Sequence, residues 1–434
     1  MIKALLDHNV RGLSAEMLPA ARPHVRSRPN DGEPLRVLFL QSNDLGATST
    51  SRLFERMAAT CDGIESVHIN MRTEVLSRLA GAQGYLQGWR MAEAWAIHMS
   101  RWFDGPLRLD RFDVVLVMRQ QRALALARAR RRKGDGVPPY VIDIDATTIG
   151  SRRSFGLRHD WPDLDAWVGR RAFADAGGIG CHSRWAADSV LNDYAIDPAK
   201  VFLYFPSTSA PLSETAARAR SARLANLGAL ARGEKGERLR LVFVGHDWER
   251  KGGHRLLRWH QERWKDRVEL HVCSGKAPRD ESAVNVFWHG GVDNKRLVGE
   301  VLPSMDLTVL PTVNDASPIA LHEAVACGVA QIGSRLAGIP EIIEDGVTGL
   351  LCDPRDDRAF IAAVERLLND PTMLVRMAEA SLRKTDHKLS AAGWFAHLVR
   401  NLRAAALGQP MVAEPAGLAD PGGGGGGGGA PAVD

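Results

Sequence analysis

Asp315 and Glu323 stand eight residues apart in the run NDASPIALHEAVACG, and the second of them is the costly one. Glu323 falls in a helix that otherwise reads Ile-Ala-Leu-His before it and Ala-Val-Ala-Cys after it. Little polar face is left for a carboxylate, and an unpaired buried carboxylate is strongly unfavourable, so it needs a partner. The helix is expected to begin at Pro318, with Ser317 as its cap and Gly328 as its stop. Glu323 then lies roughly 9 Å along the axis, and side chains lean back toward the N-terminus. There the free N–H groups near Ser317 and Ile319, with the helix dipole, favour an anion such as phosphate. A nucleotide diphosphate whose ribose hydroxyls meet Glu323 fits that layout. A structural carboxylate held by an arginine or by backbone donors fits the same residues.

A second group of polar residues lies upstream, in LRLVFVGHDWERKGGHRLL. Gly245 permits a sharp turn after an apolar strand, and Lys251-Gly252-Gly253 precedes a helix. A lysine ammonium there can sit against a diphosphate as a point charge, supplying part of what a metal ion would. Arg250 and Lys251 are otherwise loop charges in water. In YVIDIDATT, the pair Asp143 and Asp145 could bridge a divalent cation to a diphosphate. Alternate residues share a face in any strand, however, and such pairs are common. Asp145 is therefore read as a loop residue at a cleft edge, and no metal site is assigned. Gly46, Thr48, Ser49 and Ser51 separate the strand Leu35 to Gln41 from a helix, which is either a substrate-facing edge of an α/β domain or a plain tight connection.

The elements that must position these residues follow an α/β rhythm. Apolar runs at residues 35–41, 64–70, 112–118, 140–148, 239–244, 268–275, 285–292, 307–310 and 348–352 read as strands, with helical patterns between many of them. Trp89, Trp95 and Trp102 fall in helical material and read as packing residues rather than a sugar platform. The chain has 434 residues, 45% of them hydrophobic, enough for two cores and too apolar for a disordered protein. A net charge of +5 suits anionic ligands, but the excess is too small to point to nucleic acid. Five dispersed cysteines without a C-x-x-C spacing read as reduced thiols, and no run approaches the ~20 apolar residues of a membrane span. A cytoplasmic protein is expected. The basic helix end at Arg128, Arg130, Arg131, Arg132 and Lys133 is either a solvated terminus or a patch for peripheral contact with anionic lipid at the inner face of the membrane.

The run SPIALHEAVACGVAQIGSRLAGIPEIIEDGVTGLLCDP, with Asp315 ahead of Glu323, resembles the carboxylate-x7-Glu region of the family-four (group 1) glycosyltransferases. The resemblance implies a GT-B fold: two Rossmann-like α/β domains whose parallel sheets face an interdomain cleft. It also implies transfer of a sugar from a nucleotide-diphosphate sugar, with retention, and without a cofactor or metal. Glu323 would bind the donor ribose and Asp315 the sugar hydroxyls. The first position is usually Glu, and Asp is shorter by about 1.5 Å. Lys251 matches the Lys-Gly position, while the arginine expected after Gly245 is His246, so that Arg250 would supply the second cation. The diphosphate would rest on the helix start at Ser317, Pro318 and Ile319, and the Gly46 loop would face acceptor and transferred phosphate. Residues 176–207 resemble the last segment of the first domain, although the glycine usual after its proline is Ser207. No histidine-bearing loop of the kind often present in the N-terminal half is evident.

The expected organisation is a mobile leader at 1–33, an acceptor domain at 34–207 and a linker at 208–237. A donor domain at 238–385, a helix at 386–408 packing back on the first domain and a disordered Gly-rich tail at 409–434 complete it. The expected partners are a nucleotide-sugar donor and a glycan, lipid or small-molecule acceptor, with no nucleic acid. Two other readings are a GT-B epimerase or hydrolase, and a non-catalytic protein binding a nucleotide sugar or an anionic surface.

Overall fold

The computed structural model describes residues 33–42, 47–71, 109–156, 162–206, 213–388 and 391–414. Gly46, the three tryptophans between residues 89 and 102, most of the leader and most of the Gly-rich tail lie outside them. Among the described residues two six-stranded sheets organise the chain. The first contains β1 (Leu35–Ser42), β2 (Ile64–Met71), β3 (Val114–Met118), β4 (Tyr140–Ile144), β5 (Gly178–Cys181) and β6 (Val201–Leu203), in the order β2-β1-β3-β4-β5-β6. The second contains β7 (Leu239–Val244), β8 (Val268–Cys273), β9 (Val286–Trp288), β10 (Leu307–Leu310), β11 (Ala330–Ser334) and β12 (Gly349–Cys352), in the order β12-β11-β10-β7-β8-β9. Every pairing in both sheets is parallel.

Parallel strands covered on both faces must be apolar nearly throughout, and these are. In the first sheet Leu38, Leu40, Val115 and Val117 enter one core, while Val37, Phe39, Val114 and Leu116 enter the core on the opposite face. The second face is covered in part by the helix Ala391–Leu407, whose Trp394, Phe395, Leu398 and Leu402 are buried against Phe39, Phe54 and Tyr204. The chain therefore finishes the second sheet and returns to complete the first domain.

The stretch expected to be a linker contains an 18-residue helix, Glu214–Ala231, capped by Ser213. Leu227 of that helix joins the core of the second sheet, and buried Arg223 donates to the carbonyls of Met305 and Gly328 at 2.9 and 3.0 Å. Its Ala/Arg-rich composition conceals the packing because only one narrow stripe of the helix is buried.

In the second sheet the order reverses between β7 and β10, and ligands of open α/β sheets bind outside the carboxyl ends of strands at such a point. The two loops that leave these strands are the Gly245–Gly253 turn and the Pro311–Pro318 loop. They carry most of the residues singled out above.

Candidate active site

The turn after β7 is shaped by glycines with specific neighbours. A Cβ on Gly245 would come 2.7 Å from the Lys251 stem, so the missing side chain gives that lysine its path. Gly252 has φ 79°, and a Cβ there would lie 2.3 Å from the Pro311 carbonyl oxygen. Backbone thus meets backbone where the two loops touch. Arg250 fastens them further: its Nε is 3.2 Å from Asp247 Oδ2, its guanidinium donates to the Asn314 carbonyl, and its own carbonyl accepts from Thr312 Oγ1 at 3.2 Å.

Lys251 and Asp315 face each other across this junction, Nζ to Oδ2 at 3.1 Å, with Arg250 3.5 Å from the same oxygen. Both side chains of the closer pair are 14% exposed. Asp315 therefore balances the two cations, and the shorter side chain is long enough to reach them. Arg250 is held by three groups and acts as a strap between loops as well as a charge.

The helix beyond Asp315 runs Ile319–Ala326, one residue later than the sequence predicts. Pro318 occupies the cap position with φ −69° and ψ 113°, and no side chain caps the helix. Ser317 is corrected from cap to neighbour of His322, its Oγ 3.4 Å from His322 Nε2. The physical reason is that Pro318 itself has an extended ψ of 113°, so the first helical residue is Ile319 and Ser317 lies one position too far out to cap it. The first turn is left without a side-chain cap, as a site for an anion requires.

Glu323 is 4% exposed. Its Oε1 accepts from Asn294 Nδ2 at 2.5 Å. Burial pushes its pKa up to about 7, opposed by the Asn294 hydrogen bond and by the charges of Lys251 and of Arg56 in the first domain. Asn294 opens the short helix Asn294–Arg296 after β9, and no sequence pattern singles it out. His246 is exposed near Gly275, which itself lies close to Gly291. These residues form a rim on the β8–β9 side of the junction.

On the first sheet, Asp143 does not pair with Asp145 to make a cation site. It turns inward, accepting from the Tyr204 hydroxyl and lying 2.6 Å from His182 Nε2. Burial works against the charged imidazole, but the Asp143 carboxylate beside it raises the His182 pKa. Asp145 is half-buried and adds to the same field. A histidine does therefore stand in the first domain, at the end of β5 rather than in a loop of its own. The signal for it was its place directly after an apolar strand and before the capping residue Ser183. Its charge is felt by His322, which burial drives down to about 3 with help from Lys384 and His182.

Comparison with known proteins bears on this arrangement. The family described as Glycosyl transferases group 1 matches residues 238–370. The alpha-maltose-1-phosphate synthase of Mycolicibacterium smegmatis is 30% identical over 239 residues, 48% of this chain and 58% of that protein. The N-acetyl-alpha-D-glucosaminyl L-malate synthase of Bacillus anthracis is 38% identical over 94 residues, 22% of this chain and 24% of that one. The alignments thus span little more than half of these relatives at most. Among solved structures, the sucrose-phosphate synthase of Thermosynechococcus elongatus superposes with a TM-score of 0.62 at 15% identity, covering 86% of this chain and all of that one. Anabaena HepE in complex with UDP-glucose gives 0.58 at 13% identity, covering 85% and 100%. At such identities these likenesses concern the fold alone.

Proposed function

We propose, from the premise that this chain belongs through residues 238–370 to the group 1 glycosyltransferases and has the two-domain GT-B fold, that it moves a hexose-type sugar from a nucleotide-diphosphate sugar to an acceptor, retaining the anomeric configuration and needing no metal ion. The observation that carries the reading is the convergence of Lys251, Asp315, Glu323 and a helix start without a side-chain cap at the switch point of the second sheet.

In this reading the donor diphosphate rests on the N–H groups at Ile319 and against Lys251, with Arg250 beside it. Its arrival draws Lys251 away from Asp315, and the released carboxylate then takes sugar hydroxyls. Glu323 accepts from the ribose hydroxyls. Charge builds on the departing diphosphate as the glycosidic bond breaks, and fixed donors stabilise that charge without reorganising. The cleft aligns the acceptor oxygen, which supplies the remaining rate enhancement. Retention is taken from the family. The acceptor is a glycan, a lipid or a small molecule, and the basic helix end near Arg132 would serve a lipid acceptor by peripheral contact.

The test is calorimetric binding of UDP, GDP, ADP and their hexose conjugates in EDTA, beginning with UDP-glucose, the molecule held by Anabaena HepE. One nucleotide is expected to bind tightly to wild type and weakly to Glu323→Ala. Turnover of that variant should fall at least about tenfold while it stays folded, since hydrogen bonds to a charged group contribute ~1.5–3 kcal/mol. A variant with wild-type activity sinks the donor-site assignment. Binding that appears only with added magnesium or manganese sinks the metal-free mechanism.

A further inference from the structure

The two domains meet at a contact that the donor site does not use. Glu341 lies in the short helix Ile339–Ile342 of the second domain, and its carboxylate reaches the first domain. Oε2 accepts from the Arg184 backbone N–H at 2.8 Å, and Oε1 from that of Trp185 at 3.0 Å. These are the first two N–H groups of the helix Arg184–Tyr194, whose cap Ser183 takes the next one, from Ala186, at 3.1 Å. A carboxylate has two oxygens for two successive donors, and the helix dipole favours its charge there.

Glu341 is itself held in place. Lys384 donates to the carbonyls of Glu341 and Ile342 at 3.1 and 2.8 Å. Three residues earlier, Gly338 donates its N–H to the Ala316 carbonyl at 2.9 Å. A Cβ on Gly338 would lie 2.8 Å from both the Ala316 oxygen and Ser183 Cβ. Ser183 of the first domain, Gly338 and the loop between Asp315 and Pro318 are therefore in continuous contact. His182, next to Ser183, is the histidine whose charge reaches His322 beside Glu323.

We propose that Glu341 is a positioning residue: seated on the start of the helix Arg184–Tyr194, its carboxylate holds the first domain in register over the donor loop. Its consequence for turnover rests on the glycosyl-transfer reading; its geometry does not. Burial raises the Glu341 pKa, and the two N–H donors work against that rise. The contact joins the carboxyl end of the first sheet, where His182 and Asp145 follow β5 and β4, to the loop that would hold the diphosphate. Loss of the contact should misalign the two substrates while leaving the nucleotide groups, all in the second domain, where they are.

The experiment compares Glu341→Ala, Arg184→Pro and Arg184→Ala in the full chain, by hydrogen exchange, small-angle scattering, UDP binding and turnover. Proline is tolerated at the first helical position and deletes one donor there, and Ser183, at φ −159° and ψ 158°, already has the extended backbone that a following proline requires. Alanine keeps the N–H and removes only the side chain, which pairs with Glu414. Glu341→Ala and Arg184→Pro are expected to lose protection of the amides around residues 185–187, to expand in scattering, and to lower kcat about tenfold with UDP affinity within about twofold of wild type. Arg184→Ala should stay close to wild type. Unchanged scattering and full turnover in Glu341→Ala would overturn the proposal, as would equal defects in Arg184→Pro and Arg184→Ala. If wild type turns over no nucleotide sugar, the functional reading fails, and exchange with scattering still decides the contact.

Discussion

Glu323 makes the candidate site sensitive to pH near neutrality. As an ordinary carboxyl it titrates near 4.5, and in the fold near 7, because burial penalises its charge more than Asn294, Lys251 and Arg56 favour it. Between those values the folded chain keeps a proton that the unfolded chain has lost. Stability from this group is thus full below the lower value and is lost as pH rises through the higher one. Glu323→Gln is expected to raise the melting temperature relative to wild type at about pH 8, and to leave it unchanged near pH 4, in thermal scans. In the proposed donor site nucleotide binding would run the other way, since ribose hydroxyls would donate to the ionised form. Affinity for the preferred nucleotide should tighten as pH rises toward about 7 and level off above it, in calorimetry, and Glu323→Gln should abolish that dependence.

At the scale of elements, the site is the junction of two turns, and glycine decides how closely they approach. Gly252 meets the Pro311 carbonyl at a distance no side chain permits, and its φ of 79° is costly for any other residue. Gly252→Ala is expected to destabilise by about 1–3 kcal/mol, read as a lower denaturant midpoint. It should also weaken binding of the preferred nucleotide, because Lys251 precedes it directly and leaves its place opposite Asp315. Retained affinity in the destabilised variant would mean that Lys251 does not bind the diphosphate. The same scale accounts for the helix at Ile319. Its cap position is taken by Pro318, so its first turn is left to the loop geometry that Arg250 and Gly252 enforce.

Across the whole molecule, the second domain is built in one continuous passage while the first needs a helix from the far end of the chain. Trp394 is 3% exposed and packs against Phe54, Tyr204 and Phe395, so the first domain loses a main piece of its core without it. Trp394→Ala is expected to cost about 3–5 kcal/mol. Two domains of this kind need not unfold together. Calorimetric scans should show a transition lowered by Trp394→Ala and another that the preferred nucleotide raises, since a ligand stabilises only the unit that binds it. A single transition shifted equally by both would show that the domains unfold as one body.

Much of this protein is determined by sequence alone, for local reasons. Apolar runs bounded by Gly, Pro and polar turns identify the strands, because parallel strands buried on both faces tolerate nothing else. Glu323 is conspicuous because an apolar helix gives it nowhere to hide, and Lys251 because two glycines follow it. The helix Glu214–Ala231 is less legible, since its buried stripe is too narrow to register in composition. The partners of these residues were settled only by the tertiary structure. Asn294 meets Glu323, Asp143 turns to His182 and Tyr204 rather than to Asp145, and Glu341 crosses to the other domain. Each of these contacts joins separate strands or loops, and which side chains meet there depends on strand order and domain packing, which local periodicity does not encode.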